Sequence, residues 1–161
     1  MRRNSKKTSK KTSKKKMPKK TPTPTPSLND HDYAALAEFR HSLRSFLAFS
    51  EQAARKAGLT PQQHQALLAV RGLGAEKGVT VGELAGRLLL KHHTTVGLVD
   101  RLVRADLLRR TPDEEDRRRA LLSLTPKADK ALKALSAIHL AEIRRHAPQL
   151  VDLLRKLSPR A

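Results

Sequence analysis

The sequence predicts a mostly α-helical chain, in which a winged helix-turn-helix with two to three short β-strands lies between long terminal helices. Three observations predict it. Leu and Ala together number 46 while Val and Ile together number 9, and small or unbranched apolar residues favour helix where β-branched ones favour strand. Two short, differently patterned helices follow one another closely between Thr80 and Asp106, as in a helix-turn-helix. Two short apolar runs then flank a highly charged loop, which makes a wing.

The first helix is expected from Asp30 to about Ala57. Leu36, Phe39, Leu43, Phe46, Ser50, Ala53 and Ala57 alternate spacings of three and four, a narrow stripe that pairs with another long helix, often from a second subunit. Gly58 ends it. Thr60-Pro61-Gln62-Gln63 opens the second helix, with Thr as cap, Pro at the first helical position and Gln three on. Gly72 and Gly74 close it. Thr80-Val81-Gly82-Glu83 is another capping box and opens a short helix through Leu88. After a turn around Lys91, a fourth helix runs from about His92 to Asp106. Leu107–Pro112 and Ala120–Leu124 are the wing strands, with Asp113–Arg119 between them. Thr125-Pro126 caps a long helix to about Ala147, Pro148 breaks it, and a last helix carries Leu150, Val151, Leu153, Leu154 and Leu157.

Charge divides the chain. It carries 34 Lys+Arg against 15 Asp+Glu, a formal net charge of +19. Residues 1–26 repeat Ser-Lys-Lys-Thr units, contain no acid, and end in the spacer Thr21-Pro22-Thr23-Pro24-Thr25-Pro26. With no apolar surface to offset ordering entropy, this tail is expected to be disordered. Its readings are an arm that tracks nucleic-acid phosphates, a merely solvated extension with Met17 as the true start, or a segment drawn to a membrane surface. The remainder still has a basic excess, the sign that a duplex partner requires. No apolar core follows the basic start, so no signal peptide is expected, and no apolar run is long enough for a membrane span. The expected location is the cytoplasm. Cysteine is absent, which excludes disulfides, thiolate metal sites and thiol redox sensing. The few aromatics, Tyr33, Phe39, Phe46 and Phe49, argue against a base-stacking single-strand binder. No phosphate-cradling glycine loop, nucleophile elbow or HExxH motif occurs, so neither an enzyme nor a cofactor is expected.

The order Leu59-Thr60-Pro61-Gln62-Gln63, Val81-Gly82-Glu83-Leu84-Ala85, Leu98-Val99-Asp100-Arg101-Leu102, Asp116-Arg117-Arg118 and Leu122-Ser123-Leu124-Thr125-Pro126 resembles the winged-helix core of the MarR family of transcriptional regulators. The resemblance covers roughly residues 30–157, with a head at about 59–125 and dimerisation helices at about 30–57 and 126–157. It implies a homodimer on a pseudo-palindromic double-stranded operator, commonly a repressor relieved by a small-molecule effector. The family tends toward Gly where the recognition helix ends, and here Asp106 stands there.

The residues of the fourth helix carry the expected chemistry. At 100° per residue, Thr95, Leu98, Leu102 and Ala105 face inward, while His92, His93, Val96 and Asp100 face away. The N-terminal end of such a helix enters the major groove. Lys91, His92, His93 and Thr94 are therefore the candidate groove contacts, Val96 a partner for a thymine methyl, and Thr94 or Thr95 a phosphate ligand. The plainer reading is that His92 and His93 only cap the helix. Arg101 reaches a phosphate, or else braces Asp100 and the wing. In the wing the family pattern makes Asp116 the brace and Arg118 the arginine inserted in the minor groove, with Arg117 beside it. A narrow minor groove attracts arginine, and an acid can fix its pose. Asp113-Glu114-Glu115 is expected to point outward or to pair with Arg117 and Arg119.

His139, Glu142 and His146 share a face of the last long helix. The two histidines stand two turns apart, too far to share a metal without His41 or His64, so a solvated or interface face is preferred. A metal-sensing regulator and a nucleoid-coating architectural protein remain as alternatives. Phe39, Phe46, Phe49 and His64 either line an effector crevice or serve as ordinary core and dimer contacts.

Overall fold

The structure, a computed structural model, describes residues 28–74, 77–116 and 119–158. The tail of residues 1–26 lies outside these, as do Arg117 and Arg118. The elements are α1 (Asp30–Lys56), α2 (Pro61–Leu73), β1 (Val79–Thr80), α3 (Val81–Leu88), α4 (His92–Arg104), β2 (Leu108–Pro112), β3 (Ala120–Leu124) and α5 (Pro126–Leu157).

Local chemistry sets the boundaries. Asn29 caps α1: its side chain accepts from the His31 and Asp32 amides, and the Asp32 carboxylate accepts from the Asn29 amide at 2.9 Å. Gly58 takes the left-handed conformation (φ +77°) that ends the helix. The Thr60 and Thr80 boxes both close as expected. The Thr60 amide donates to Gln63 Oε1 at 2.9 Å, and the Thr80 amide to Glu83 Oε2 at 2.8 Å.

Strands β1, β3 and β2 form an antiparallel sheet in that order, with Val79 opposite Leu122 and Leu108 opposite Leu124. The core joins Leu67 and Val70 of α2, Leu84 of α3, Leu98 and Leu102 of α4, Leu122 of β3 and Leu135 of α5. A buried leucine of this kind stabilises a fold by about 1.5–3 kcal/mol.

Two expectations are corrected. Gly72 lies inside α2, and Gly74 alone caps it. An exposed interior glycine costs a helix only about 1 kcal/mol, whereas a Cβ on Gly74 would stand 2.6 Å from Val79 Cγ2. Pro148 does not break α5, which runs unbroken to Leu157. Pro148 and Arg144, whose carbonyl loses its usual donor, are both exposed, so water can serve that carbonyl. Leu153 is buried and Leu150 and Leu157 are half-buried beyond the proline, which keeps the segment docked. The α1 stripe does pair with another long helix, and that helix belongs to the same chain: α1 packs most extensively on α5. Phe39, Phe46 and Ala53 are half-buried while Leu36 and Leu43 stay exposed.

Asp106, just beyond α4, is left-handed (φ 55°), and Leu107 N–H closes the turn on Leu102 C=O at 2.9 Å. Its side chain is exposed. Asp106→Gly is therefore expected to raise stability by about 0.5–1 kcal/mol, read as a higher urea midpoint at unchanged m-value.

Candidate nucleic-acid interface

The helix-turn-helix is α3, a tight turn and α4. Glu83 accepts from both the Thr80 amide and the Thr80 hydroxyl at 2.8 Å, and these bonds hold its carboxyl below the ordinary range, with Arg119 lowering it further. At the other end of α3, Leu89 is left-handed (φ 54°) and 93% exposed. Leu90 N–H then bonds back to Ala85 C=O at 3.0 Å, so the turn redirects the chain within three residues, Leu89 to Lys91. A leucine in that conformation is strained. The sequence carries no glycine there to announce it.

Lys91 is the N-cap of α4, and its side chain makes no capping bond. The first amides of α4 are thus free of a side-chain cap, and the helix dipole favours an anion there. Lys91, His92, His93 and Thr94 are all exposed around this end, and Val96 is half-buried. Neither histidine supplies the cap. Thr95 departs from the expected phosphate role. It is fully buried, and its hydroxyl donates to Lys91 C=O at 3.2 Å, leaving Thr94 as the solvent-facing threonine. Leu98, Val99 and Leu102 pin the inner face of α4 to the core.

Asp100 is braced by Arg110, not Arg101. The Arg110 guanidinium meets Asp100 Oδ1 at 2.7 Å and ties α4 to β2. Arg101 is exposed on α4. Sequence reasoning missed Arg110 because adjacent arginines in a short strand do not reveal which of them faces the preceding helix.

In the wing, Asp113 takes the pairing alternative and turns inward to Arg119. It is buried, its Oδ2 meets Arg119 Nη2 at 3.0 Å, and its Oδ1 accepts from the Glu115 amide at 3.0 Å. Arg119 also lies 3.7 Å from Asp116 Oδ2, and its amide donates to Asp116 C=O at 2.8 Å. Arg119 therefore clasps the base of the wing, while Glu114 and Glu115 are exposed. Arg117 and Arg118 belong to the loop but lie outside the described residues.

The face of His139, Glu142 and His146, expected to be solvated or an interface, is not wholly solvated: His139 is buried and stacks on His64, whereas Glu142 accepts from exposed His146 at 3.0 Å. Among the described residues, no three His, Asp or Glu side chains gather as metal ligands. None of the described helices is long and apolar enough to cross a membrane.

These features define a winged helix-turn-helix protein, with one exposed basic helix end and a clasped wing beside it. The model of the MarR family matches residues 57–119. The chain is 31% identical over 102 residues, 61% of its own length and 68% of the other's, to the uncharacterized HTH-type transcriptional regulator YsmB of Bacillus subtilis. It is 37% identical over 68 residues, 42% of its length and 39% of the other's, to the transcriptional activatory protein BadR of Rhodopseudomonas palustris. Its fold is like that of Staphylococcus aureus MepR in a MepR–DNA complex, with a TM-score of 0.59 and 23% identity, covering 71% of this chain and 82% of that one. The chain belongs to the MarR family of DNA-binding transcriptional regulators.

Proposed function

We propose that the chain is a cytoplasmic homodimer that reads a pseudo-palindromic operator through two copies of α4 and represses transcription until a small effector releases it. The observation that carries the reading is the open N-terminal end of α4, where Lys91, His92, His93 and Thr94 are exposed together and no side chain caps the helix. That end is the part of a recognition helix that meets base edges. Val96 lies on the same helix for apolar contact, and Arg101 for a phosphate.

Dimerisation is supported by the apolar surface that the chain leaves uncovered. Leu36, Leu43 and Leu47 of α1 are exposed, as are Ile138, Ile143 and Leu154 of α5. Residues of this kind in numbers on two neighbouring helices mark an association surface. The structural likeness to a protein seen bound to DNA supports the duplex as partner. In the wing, Arg118 is the minor-groove side chain, Arg117 a neighbouring contact, and Asp116 the positioning residue.

Selection of duplexes from a random pool tests this reading. The selected site should consist of two inverted half-sites about one helical turn apart, bound by a species of twice the chain mass. A single half-site bound by a monomer contradicts it. On the selected site, Arg118→Ala should weaken binding by about 1–3 kcal/mol, and Asp116→Ala by less. Exchanging A·T for G·C pairs under the wing should hurt the native protein more than the Arg118 variant. Equal losses would make Arg118 a plain phosphate contact.

A further inference from the structure

Two histidines are buried where the winged-helix part meets the α1/α5 pair. His64 lies on α2 and His139 on α5, and their rings stack with centroids 4.8 Å apart and planes 12° from parallel. Phe46 and Phe49 of α1 pack edge-on against His139, at 6.1 and 5.9 Å. His139 Nδ1 donates to Leu135 C=O at 2.7 Å, which fixes its tautomer and leaves Nε2 as a bare acceptor. Both Nε2 atoms, of His64 and His139, are buried and have no hydrogen-bond partner. Neither histidine takes part in the DNA interface.

An unpaired buried polar atom is costly, and a proton added to it with no acceptor in reach is costlier still. Among the described residues, no acceptor is bonded to either Nε2. From α1 come two phenylalanines. From α5, Glu142 is engaged by His146 and Arg145. From α2, Arg71 is turned to Asp129 at 3.8 Å, and Asp129 also holds Lys133. The stack therefore offers no partner to a proton placed on His64 Nε2.

We propose that the His64–His139 stack is an acid-sensitive latch between α2 and α5, closed while His64 is neutral and opened when His64 takes up a proton, and that its opening weakens operator binding. Burial, and then the neighbouring His139, hold the His64 imidazole below its ordinary value. The folded state thus takes up its proton later than the unfolded chain. The stability this histidine contributes is present above about pH 6.5, the ordinary histidine value, and is lost as the pH falls through that value toward the lowered one. Because α2 packs on α3 as well as on α5, a shift at the latch moves the reading head relative to the α1/α5 pair. The DNA consequence rests on the proposed dimer, whereas the latch itself does not.

The experiment follows the histidine ring signals of the full-length protein by NMR from pH 8 to 5, beside thermal unfolding across the same range. It is done for the native chain and for His64→Phe, which keeps an aromatic ring in the stack. His64 should remain neutral where a free histidine is half protonated. The native Tm should fall between pH 7.5 and 5.5, and the variant should lose most of that fall. Affinity for the selected duplex, at fixed ionic strength, should fall in the native protein relative to the variant by up to about tenfold per pH unit for each latch, so up to about a hundredfold for a dimer with two. Taking the ratio cancels every pH effect that the two proteins share. An ordinary titration of His64 in the native chain overturns the latch even if the variant fails to fold. So does an identical pH profile in the two proteins. A latch seen by NMR without the affinity change refutes the switch and leaves the DNA reading standing. Absence of duplex selectivity at pH 7.5 refutes the DNA reading instead.

Discussion

Replacing His92 and His93 together by alanine is expected to relax or abolish the preference for operator over random duplex while changing non-specific affinity at low salt much less. Both imidazoles are exposed at the open end of α4, and neither caps it. An imidazole there can donate to or accept from a base edge. Each base pair that is no longer read costs about 1–3 kcal/mol, and a dimer loses the contact in both half-sites. The proposed phosphate contacts of Thr94 and Arg101 are untouched by the change, so the sequence-independent part of binding should survive it. Alanine is a better helix former than histidine, which makes unfolding a poor explanation for a loss. Competition titrations with the two duplexes measure the effect. Equal losses on both would remove the histidines from the set of base readers.

Deleting residues 1–26 is expected to change the salt dependence of binding more than any single substitution can. The segment carries eleven Lys/Arg and no acid. Each phosphate neutralised adds about 0.9 to the slope of log affinity against log salt, so four contacts per dimer would change it by about 3.6. Affinity for operator and random duplex should fall together, and the operator preference should persist or improve, because the segment has no aromatic residue with which to read bases. Association should also slow, since a positive arm steers encounters over about 10 Å at 0.1 M salt. An unchanged slope would make the arm a passive extension.

Much of the fold was legible because its punctuation is local. The Thr60 and Thr80 capping boxes, Gly58 and Thr125-Pro126 each act within four residues, and α1, α3 and both long wing strands stand where those signals put them. The errors fall where a distant contact outweighs a local preference. Pro148 reads as a break, yet the leucines beyond it remain docked. The two residues of β1 are too few to carry a period of their own, and only pairing with Leu121 and Leu122 makes them a strand. In the site, the outward face of α4 followed from helical periodicity. The burial of Thr95 agrees with that periodicity, and it is the suggested phosphate role that fails. Partner choice between elements was not legible. Asp100 with Arg110 and His64 with His139 each join two elements, and nothing in the spacing of either partner encodes the other, whereas Asp113 with Arg119, inside one charged loop, was one of the two expected arrangements.

The central claim is that this basic chain is a reader of sequence and not a coat for any duplex. Its most direct test is the ratio of affinities for the selected operator and for a random duplex of equal length, measured with the full chain at physiological salt. The account predicts a ratio of at least about 10³. A ratio near one, with affinity governed by salt alone, would contradict it and assign the chain to architectural binding.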